Sequence, residues 1–499
     1  MNLLLFIIIP FLTSLGVLAV KGQKQVRTVA FIGSVIQLIV SFYLLNQYQN
    51  ARALGDTAAF LFEQNYAWFP SLGIHFHMGV DGISIAMILL TSLVVVAGVL
   101  VSYTMEELHK EFFFLLILLS LGAYGFFISL DIFTLFFFLE VAVIPKFLLI
   151  GIWGSGPKER SAMKLALMLM GGSALIFVGL TGLYYFTPME NEIRTFDLMT
   201  LSRLGMPVQA QLFFFPFLFA GFGVFTALFP FHTWVPDGHS SAPTAASMFL
   251  AGISMKLGGY GCLRVATFLM PEAAQVYAPY IILLATIAII YGAFATLMQT
   301  DLKYINAYSS ISHCGFVLLG IGMLTKTSVT GAVMQMVSHG LMTALFFAAI
   351  GMMYSRTHTR LVSQLGGLLK VMPFISSIFI IAGLVSLGLP GFSGFVSEMT
   401  VFVGSWQNPN MWYRIATILS CASIVVTAVY ILRAAGSSVM GPIKNDHYQS
   451  LTDALWNERL AAVVLLSGIV VIGMAPFLLT DLLAPGTDAI MGQIFNTVK

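Results

Sequence analysis

The sequence predicts an all-α polytopic membrane protein of about fourteen transmembrane helices. Three observations predict it. Hydrophobic residues make up 58% of the 499-residue chain and charged residues only 9%, with a mean hydropathy of +0.92. A soluble chain carries about 25% charged residues. Apolar runs of about 20 residues, the length that spans a bilayer, recur along the whole chain. The first of them, MNLLLFIIIPFLTSLGVLAV, lacks a basic leading region and a small-residue cleavage site, so it is expected to be the first span and not a removed leader.

The expected spans fall at 2–20, 28–46, 80–103, 112–130, 132–152, 161–186, 210–230, 244–269, 277–299, 304–324, 328–353, 372–403, 412–434 and 460–484. Only Ser129, Leu130 and Asp131 separate spans 4 and 5, with Asp131 placed to cap the second. Lys and Arg favour the loops after odd-numbered spans, most clearly Lys21, Lys24 and Arg27, so both termini are expected on the non-cytoplasmic side. The longer connections are 47–79, 187–209 and 435–459. The last is expected to form a short surface helix capped by Thr452, with Leu455 and Trp456 at the interface. His75 and His77 are expected at the surface.

A net charge of +2 gives no case for nucleic-acid binding. Cys262, Cys314 and Cys421 are far apart and form no metal or disulfide pattern. There is no phosphate-binding glycine loop in a strand–helix context and no haem or iron–sulfur spacing. No metal site and no cofactor is expected on this chain.

Two spans are interrupted. Span 7 runs into Pro230 and Pro236 and a polar turn holding His232, Asp237, His239, Ser240 and Ser241. Span 12 is broken at Pro390, Gly391 and Gly394. Broken helices at matching positions mark transporters built from inverted repeats. Spans 4–8 and 9–13 would form two inverted five-helix repeats, each broken in its fourth helix. Residues 1–111 then hold spans 1–3 and a non-cytoplasmic loop, and 112–270 the first repeat. Residues 271–435 form the second repeat, and 436–499 an amphipathic segment and the last span.

Ionisable residues inside the spans mark a pathway, because each costs roughly 2.5–3.5 kcal/mol to insert. Glu140 lies in FTLFFFLEVAVIP, and Lys256 lies mid-span between Gly252 and Gly259. Glu398 follows the second break. His313 and His339 lie in neighbouring spans beside Ser309, Ser310, Ser312 and Ser338, as a proton relay would require. Lys164, near the start of span 6, and His232, in the first break, are further candidates. Lys164, Lys256 and Arg433 follow the repeat order, the last two in the fifth helices.

At these residues the chain resembles the antiporter-like membrane subunits of respiratory complex I, the NADH–quinone oxidoreductase. The motifs are HTWVPDGHSSAPTAASMFLAGISMKLGGYGCLR (232–264), HMGVDGIS (77–84), QTDLKYINAYSSISHCGF (299–316) and LPGFSGFVSE (389–398). YSRTHTR (354–360) and the fourteen-span length resemble the M-type subunit. The same motifs occur in Mrp-type sodium/proton antiporter subunits.

The resemblance implies a proton-translocating subunit of an enzyme complex in the bacterial inner membrane, beside L-type and N-type neighbours. NAD, FMN, iron–sulfur clusters and quinone would then be bound by partner subunits. It also implies that Glu140 belongs to an ion pair, that Lys256 is central, and that His313 and His339 lead to a terminal Glu398. The family normally has a lysine in span 7, where this chain has Phe225. Lys146, after Pro145, is the candidate substitute. Six residues turn about 240° on a straight helix, so Lys146 and Glu140 would not share a face without a kink. Two other readings remain at this point: an Mrp-type antiporter subunit and a non-conducting membrane scaffold. Retention of at least four buried charges argues against the scaffold.

Overall fold

The computed structural model describes residues 1–190 and 193–496. The chain is an all-α bundle, as the composition predicts. Its helices are α1 (Leu5–Ala19), α2 (Gln23–Ala53), α3 (Gly82–Val101), α4 (His109–Ile128), α5 (Ile132–Trp153) and α6 (Lys158–Phe186). A short α7 (Leu198–Leu204) precedes span 7, which is α8 (Val208–Thr226) plus α9 (Trp234–Ser241). Span 8 is α10 (Thr244–Phe249) and α11 (Met255–Gly261), joined and followed by π-helical turns at Leu250–Ser254 and Cys262–Thr267. Then come α12 (Pro271–Leu297), α13 (Leu302–Gly322) and α14 (Lys326–Thr357). Span 12 is α15 (Pro373–Ser386) plus α16 (Ser393–Gln407), followed by α17 (Met411–Ser438), α18 (Trp456–Met474) and α19 (Phe477–Asn496).

Among the described residues ten helices are by length and composition able to cross a membrane. The other four expected spans fall short for visible reasons. α1 has 15 residues, span 8 is divided by its π turns, α13 carries Asn306 and a run of serines, and span 12 is broken.

Several connections differ from expectation. The 47–79 connection is a hairpin of β1 (Leu61–Phe69) and β2 (Ile74–Val80), antiparallel, with Asn65 opposite His77. The alternation of Ile74, His75, Phe76, His77 and Met78 in β2 carries a two-residue period that a search for spans does not register. His77 is buried, not a surface residue. Thr452 caps nothing. Residues 451–455 are extended, and α18 starts at Trp456 with the Glu458 carboxylate accepting from the Leu455 N–H at 2.8 Å. Span 14 stops at Ala475, before Pro476, and α19 forms a separate C-terminal helix. Arg264 is buried in span 8. Arg433 does not match Lys256, since it is exposed and donates to the Leu297 and Gln299 carbonyls. Cys262 and Cys314 are buried, but Cys421 is exposed.

Asp131 does cap α5, accepting from the Phe133 and Thr134 N–H groups at 2.9 and 3.0 Å. Asp301 caps α13 in the same way, through Lys303 N–H at 2.8 Å. Beside each capped start the chain pairs with the segment after the next helix. Ile132 N–H donates to Phe196 and Leu198 N–H to Leu130; likewise Leu302 N–H donates to Arg360 and Val362 N–H to Thr300. All four bonds measure 2.8–3.0 Å. Five spans separate the two pairings, so they lie on opposite faces of the bundle. The core is α14, whose whole apolar window is buried, packed against α13, α16, α15 and α18.

Candidate functional site

Both breaks present backbone groups that apolar surroundings cannot satisfy, and each is closed by specific residues. α8 ends where Ala227 turns left-handed at φ +70°, and Trp234 Nε1 donates back to the Val224 carbonyl at 2.9 Å. In span 12, Gly388 at φ +75° and Gly391 at φ +98° reverse the chain before α16. A Cβ on Gly388 would lie 3.0 Å from Glu398 Oε2, so the glycine also makes room for that carboxylate.

Between the breaks lies a continuous polar thread. Lys256 is buried, and its amine donates to the Ala251 carbonyl and meets His339 Nδ1 at 2.8 Å. The bond to Ala251 spans the π turn at Leu250–Ser254. His339 stacks on His313 with ring centroids 5.2 Å apart and planes 28° apart. His313 Nδ1 is 3.2 Å from Glu398 Oε1, and its Nε2 is 3.0 Å from Ser386 Oγ. Gln335 contacts His313 Nδ1 at 3.3 Å and accepts from Ser397 Oγ at 2.5 Å. The two helices that carry Lys256 and His339 come close because both present glycine. A Cβ on Gly252 would lie 3.2 Å from the Gly340 oxygen, and one on Gly340 would lie 2.7 Å from the Gly252 oxygen. Thus Lys256, His339, His313 and Glu398 are brought together.

Two further ionisable residues that sequence reasoning left out are buried on α9 and at the start of α13. His239 is buried against Phe347, ring centroids 5.5 Å apart, and among the described residues neither ring nitrogen has a hydrogen-bond partner. Lys303 is buried too, with its amine on the Ala242 carbonyl at 2.7 Å. His239 was visible in the polar turn, but nothing in the sequence separates its buried ring from that of His232. His232 is instead wedged between Phe229 and Tyr291, with centroids at 5.4 and 4.9 Å, and lies off the thread.

Glu140 and Lys164 stand apart. Glu140 accepts from Ser173 Oγ on α6. Lys164 pairs with Asp237 at 2.6 Å, both side chains more than a third exposed, and Tyr304 also donates to Asp237 at 3.3 Å. Lys164 therefore belongs to the break's water-facing rim and not to Glu140. Lys146 is buried, has no hydrogen-bond partner among the described residues, and holds its amine 5.8 Å from the centre of the Phe225 ring. Among the described residues no group of three or more His, Cys, Asp or Glu is placed to hold a metal ion.

Outside the membrane, His77 Nδ1 is 2.6 Å from Asp197 and Nε2 is 3.2 Å from Glu63. Burial disfavours the charged ring, but the two carboxylates outweigh it and raise the His77 pKa. Burial likewise works against the Asp197 carboxylate, yet the His77 and Thr200 bonds lower its pKa.

A family model described as "NADH:quinone oxidoreductase/Mrp antiporter, TM" matches residues 129–427, which hold this whole thread. The chain belongs to that family. It is 34% identical over 461 residues to NADH-quinone oxidoreductase subunit M of Rickettsia bellii (strain RML369-C), covering 91% of this chain and 90% of that protein. It is 35% identical over 497 residues to NAD(P)H-quinone oxidoreductase chain 4 1 of Synechococcus sp. (strain JA-2-3B'a(2-13)), covering 98% and 92%. In fold it matches a chain of respiratory complex I from Thermus thermophilus with bound NADH at TM-score 0.88 and 23% identity, over 99% of both chains. A chain of the Mrp complex from Dietzia sp. DQ12-45-1b matches at TM-score 0.85 and 18% identity, over 99% of this chain and 97% of that one. The antiporter-like architecture is thus common to both kinds of assembly.

Proposed function

We propose that this chain is the M-type proton-translocating membrane subunit of an NADH–quinone oxidoreductase. The observation that carries the reading is the unbroken contact from Lys256 through His339 and His313 to Glu398. Each member can gain or lose a proton, and the ends lie in oppositely placed halves of the bundle. Electron transfer from NADH to quinone occurs on partner subunits, which carry NAD, FMN, iron–sulfur clusters and quinone. The L-type and N-type subunits flank this one in the bacterial inner membrane.

The matching pairings at Asp131 and Asp301 support two inverted repeats, 112–270 and 271–435. Residues 1–111 and 436–499 flank them. Both termini lie on the hairpin side: Gln64 in β1 reaches the Met1 carbonyl, and Gln275, at the start of α12, reaches that of Ile494. We assign that side as non-cytoplasmic. Protons enter from the other face past Lys303 and His239, load Lys256, cross the two histidines and leave by Glu398. Glu140 and Lys146 form the charge pair that tunes Lys256, with Lys146 filling the place that Phe225 leaves empty of charge. Lys164 and His232 serve at the rim of the first break.

An Mrp-type antiporter role is the second reading, favoured by the fold match to the Dietzia complex. The 34–35% identical relatives are oxidoreductase subunits, which favours the first. Lys256→Ala in the assembled complex tests the reading. Proton translocation in membrane vesicles should be lost while NADH–ferricyanide electron transfer continues. Full translocation by the assembled variant overturns it.

A further inference from the structure

Span 8 is an unusual support for a central lysine. The α-helical turn around Lys256 has only seven residues, three of them glycine (Gly258, Gly259, Gly261), and π turns flank it on both sides. Glycine in a helix interior costs roughly 0.5–1 kcal/mol each relative to alanine, so this segment has little rigidity of its own. Yet the Lys256–His339 contact requires its amine to be held to within tenths of an ångström.

The hairpin side of span 8 is clamped by a buried ion pair that the proton thread does not use. Arg264 Nη2 donates to Asp81 Oδ2, and the two side chains are 3% and 1% exposed. Asp81 is itself fixed as the cap of α3, accepting from Ser84 N–H at 2.9 Å. The Arg264 guanidinium lies over the rings of Phe60 and Tyr260, at 5.1 and 5.5 Å. Tyr260 is pinned between Phe126 and Phe127 and its hydroxyl meets Ser84 Oγ at 3.0 Å. Lys256, Tyr260 and Arg264 recur every fourth residue and so follow one side of the helix. Arg264 is about 12 Å along the axis from Lys256. The C-terminal helix α19 closes the site: a Cβ on Gly486 would lie 2.6 Å from Asp81 Oδ2, and one on Gly82 would lie 1.7 Å from the Leu482 oxygen.

We propose that Asp81, Arg264 and Tyr260 are positioning residues for Lys256. The pair and the Tyr260–Ser84 bond tie the glycine-rich turn to the rigid start of α3, and this anchorage sets the distance from Lys256 to His339. The C-terminal helix, resting on the pair through Gly486, completes the anchorage.

The inference rests on the proposed role of Lys256, and its test separates the two. Arg264→Lys keeps the charge but loses the guanidinium that reaches Asp81 and its ring contacts. Tyr260→Phe removes only the hydroxyl. Each is expressed in the full complex, and complex content, NADH–ferricyanide activity and proton translocation per complex are measured. Loss of a charge-assisted bond weakens a fixed geometry about tenfold or more, and loss of a neutral one roughly two- to tenfold. Translocation per complex should therefore fall about tenfold in Arg264→Lys and about threefold in Tyr260→Phe. Complex content and ferricyanide activity should be unchanged. Normal translocation per complex in both variants overturns the proposal. So does a loss that only follows a loss of complex, because that is the result of a structural clamp alone. Lys256→Ala in the same preparation is the control: if it pumps normally, the role of Lys256 falls, whatever the clamp variants do.

Discussion

Lys146 offers the sharpest perturbation, because its buried amine lies over the ring of Phe225. It is buried, without a hydrogen-bond partner among the described residues, and 5.8 Å from the Phe225 ring centre. Six residues of α5 put Lys146 about 9 Å further along the helix than Glu140. At that distance and an effective dielectric near 20, two unit charges interact by about 1.8 kcal/mol, or roughly 20-fold in an equilibrium. Lys146→Met should therefore slow pumping-coupled NADH oxidation about 20-fold in proteoliposomes, with NADH–ferricyanide activity and subunit content intact. The double variant Lys146→Met/Phe225→Lys returns a cation to nearly the same point from α8, and should recover to within about threefold of the parent. Phe225→Lys alone sets two buried cations about 6 Å apart, a repulsion of about 3 kcal/mol, and should be impaired. Wild-type pumping by Lys146→Met, or no gain in the double variant over the single one, refutes the reasoning.

The other predictions concern separate parts of the structure. Glu398→Gln removes the charge from the His313–Glu398 contact, worth about 1.5–3 kcal/mol, so translocation in vesicles should fall roughly 10- to 100-fold; an unchanged rate would remove Glu398 from the thread. Gly252→Val should push span 8 away from Gly340 and break the 2.8 Å Lys256–His339 contact, abolishing translocation while quinone-independent electron transfer persists. The hairpin cluster should make stability pH-dependent. The raised His77 pKa gives stability that is full below the ring's ordinary value, about 6.5, and lost as pH rises through the raised one. The lowered Asp197 pKa gives stability that is present above the ordinary value, about 3.9, and lost as pH falls through the lowered one. Thermal denaturation of the purified complex should show a plateau between these limits, and His77→Gln should remove its alkaline decline.

The spans were legible because lipid forces apolar length onto them, and the breaks because proline and glycine stand out in such runs. Glu140, Lys256, His313, His339 and Glu398 could be chosen for the same reason: an ionisable side chain in a span is costly and therefore conspicuous. Their grouping was not legible. That Lys256 meets His339 depends on Gly252 facing Gly340 from a span more than 80 residues away, and no local pattern records that approach. The hairpin, the buried His77 and the C-terminal helix were missed because a 20-residue apolar window cannot register a two-residue period or a helix that begins beyond a proline. Nor was the pairing of Arg264 legible. Near a span's end, the sequence does not distinguish an arginine in water from one paired with an aspartate 183 residues away.

The arrangement of the thread constrains how it is loaded. Lys256, His339 and His313 are three bases in a row, and Glu398 is the one acid they reach. The two imidazoles stack at 5.2 Å, so protonating both at once costs about 3 kcal/mol at an effective dielectric near 20. That repulsion makes a second protonation roughly two-hundredfold less favourable than it would be beside a neutral ring. On the proposed path, a proton on His339 would therefore move to His313 before Lys256 hands on another. The Glu398 carboxylate, 3.2 Å from His313 Nδ1, favours the step in that direction. On that proposed path, the order and spacing of these four side chains pass one proton at a time, from the lysine after the first break to the glutamate after the second.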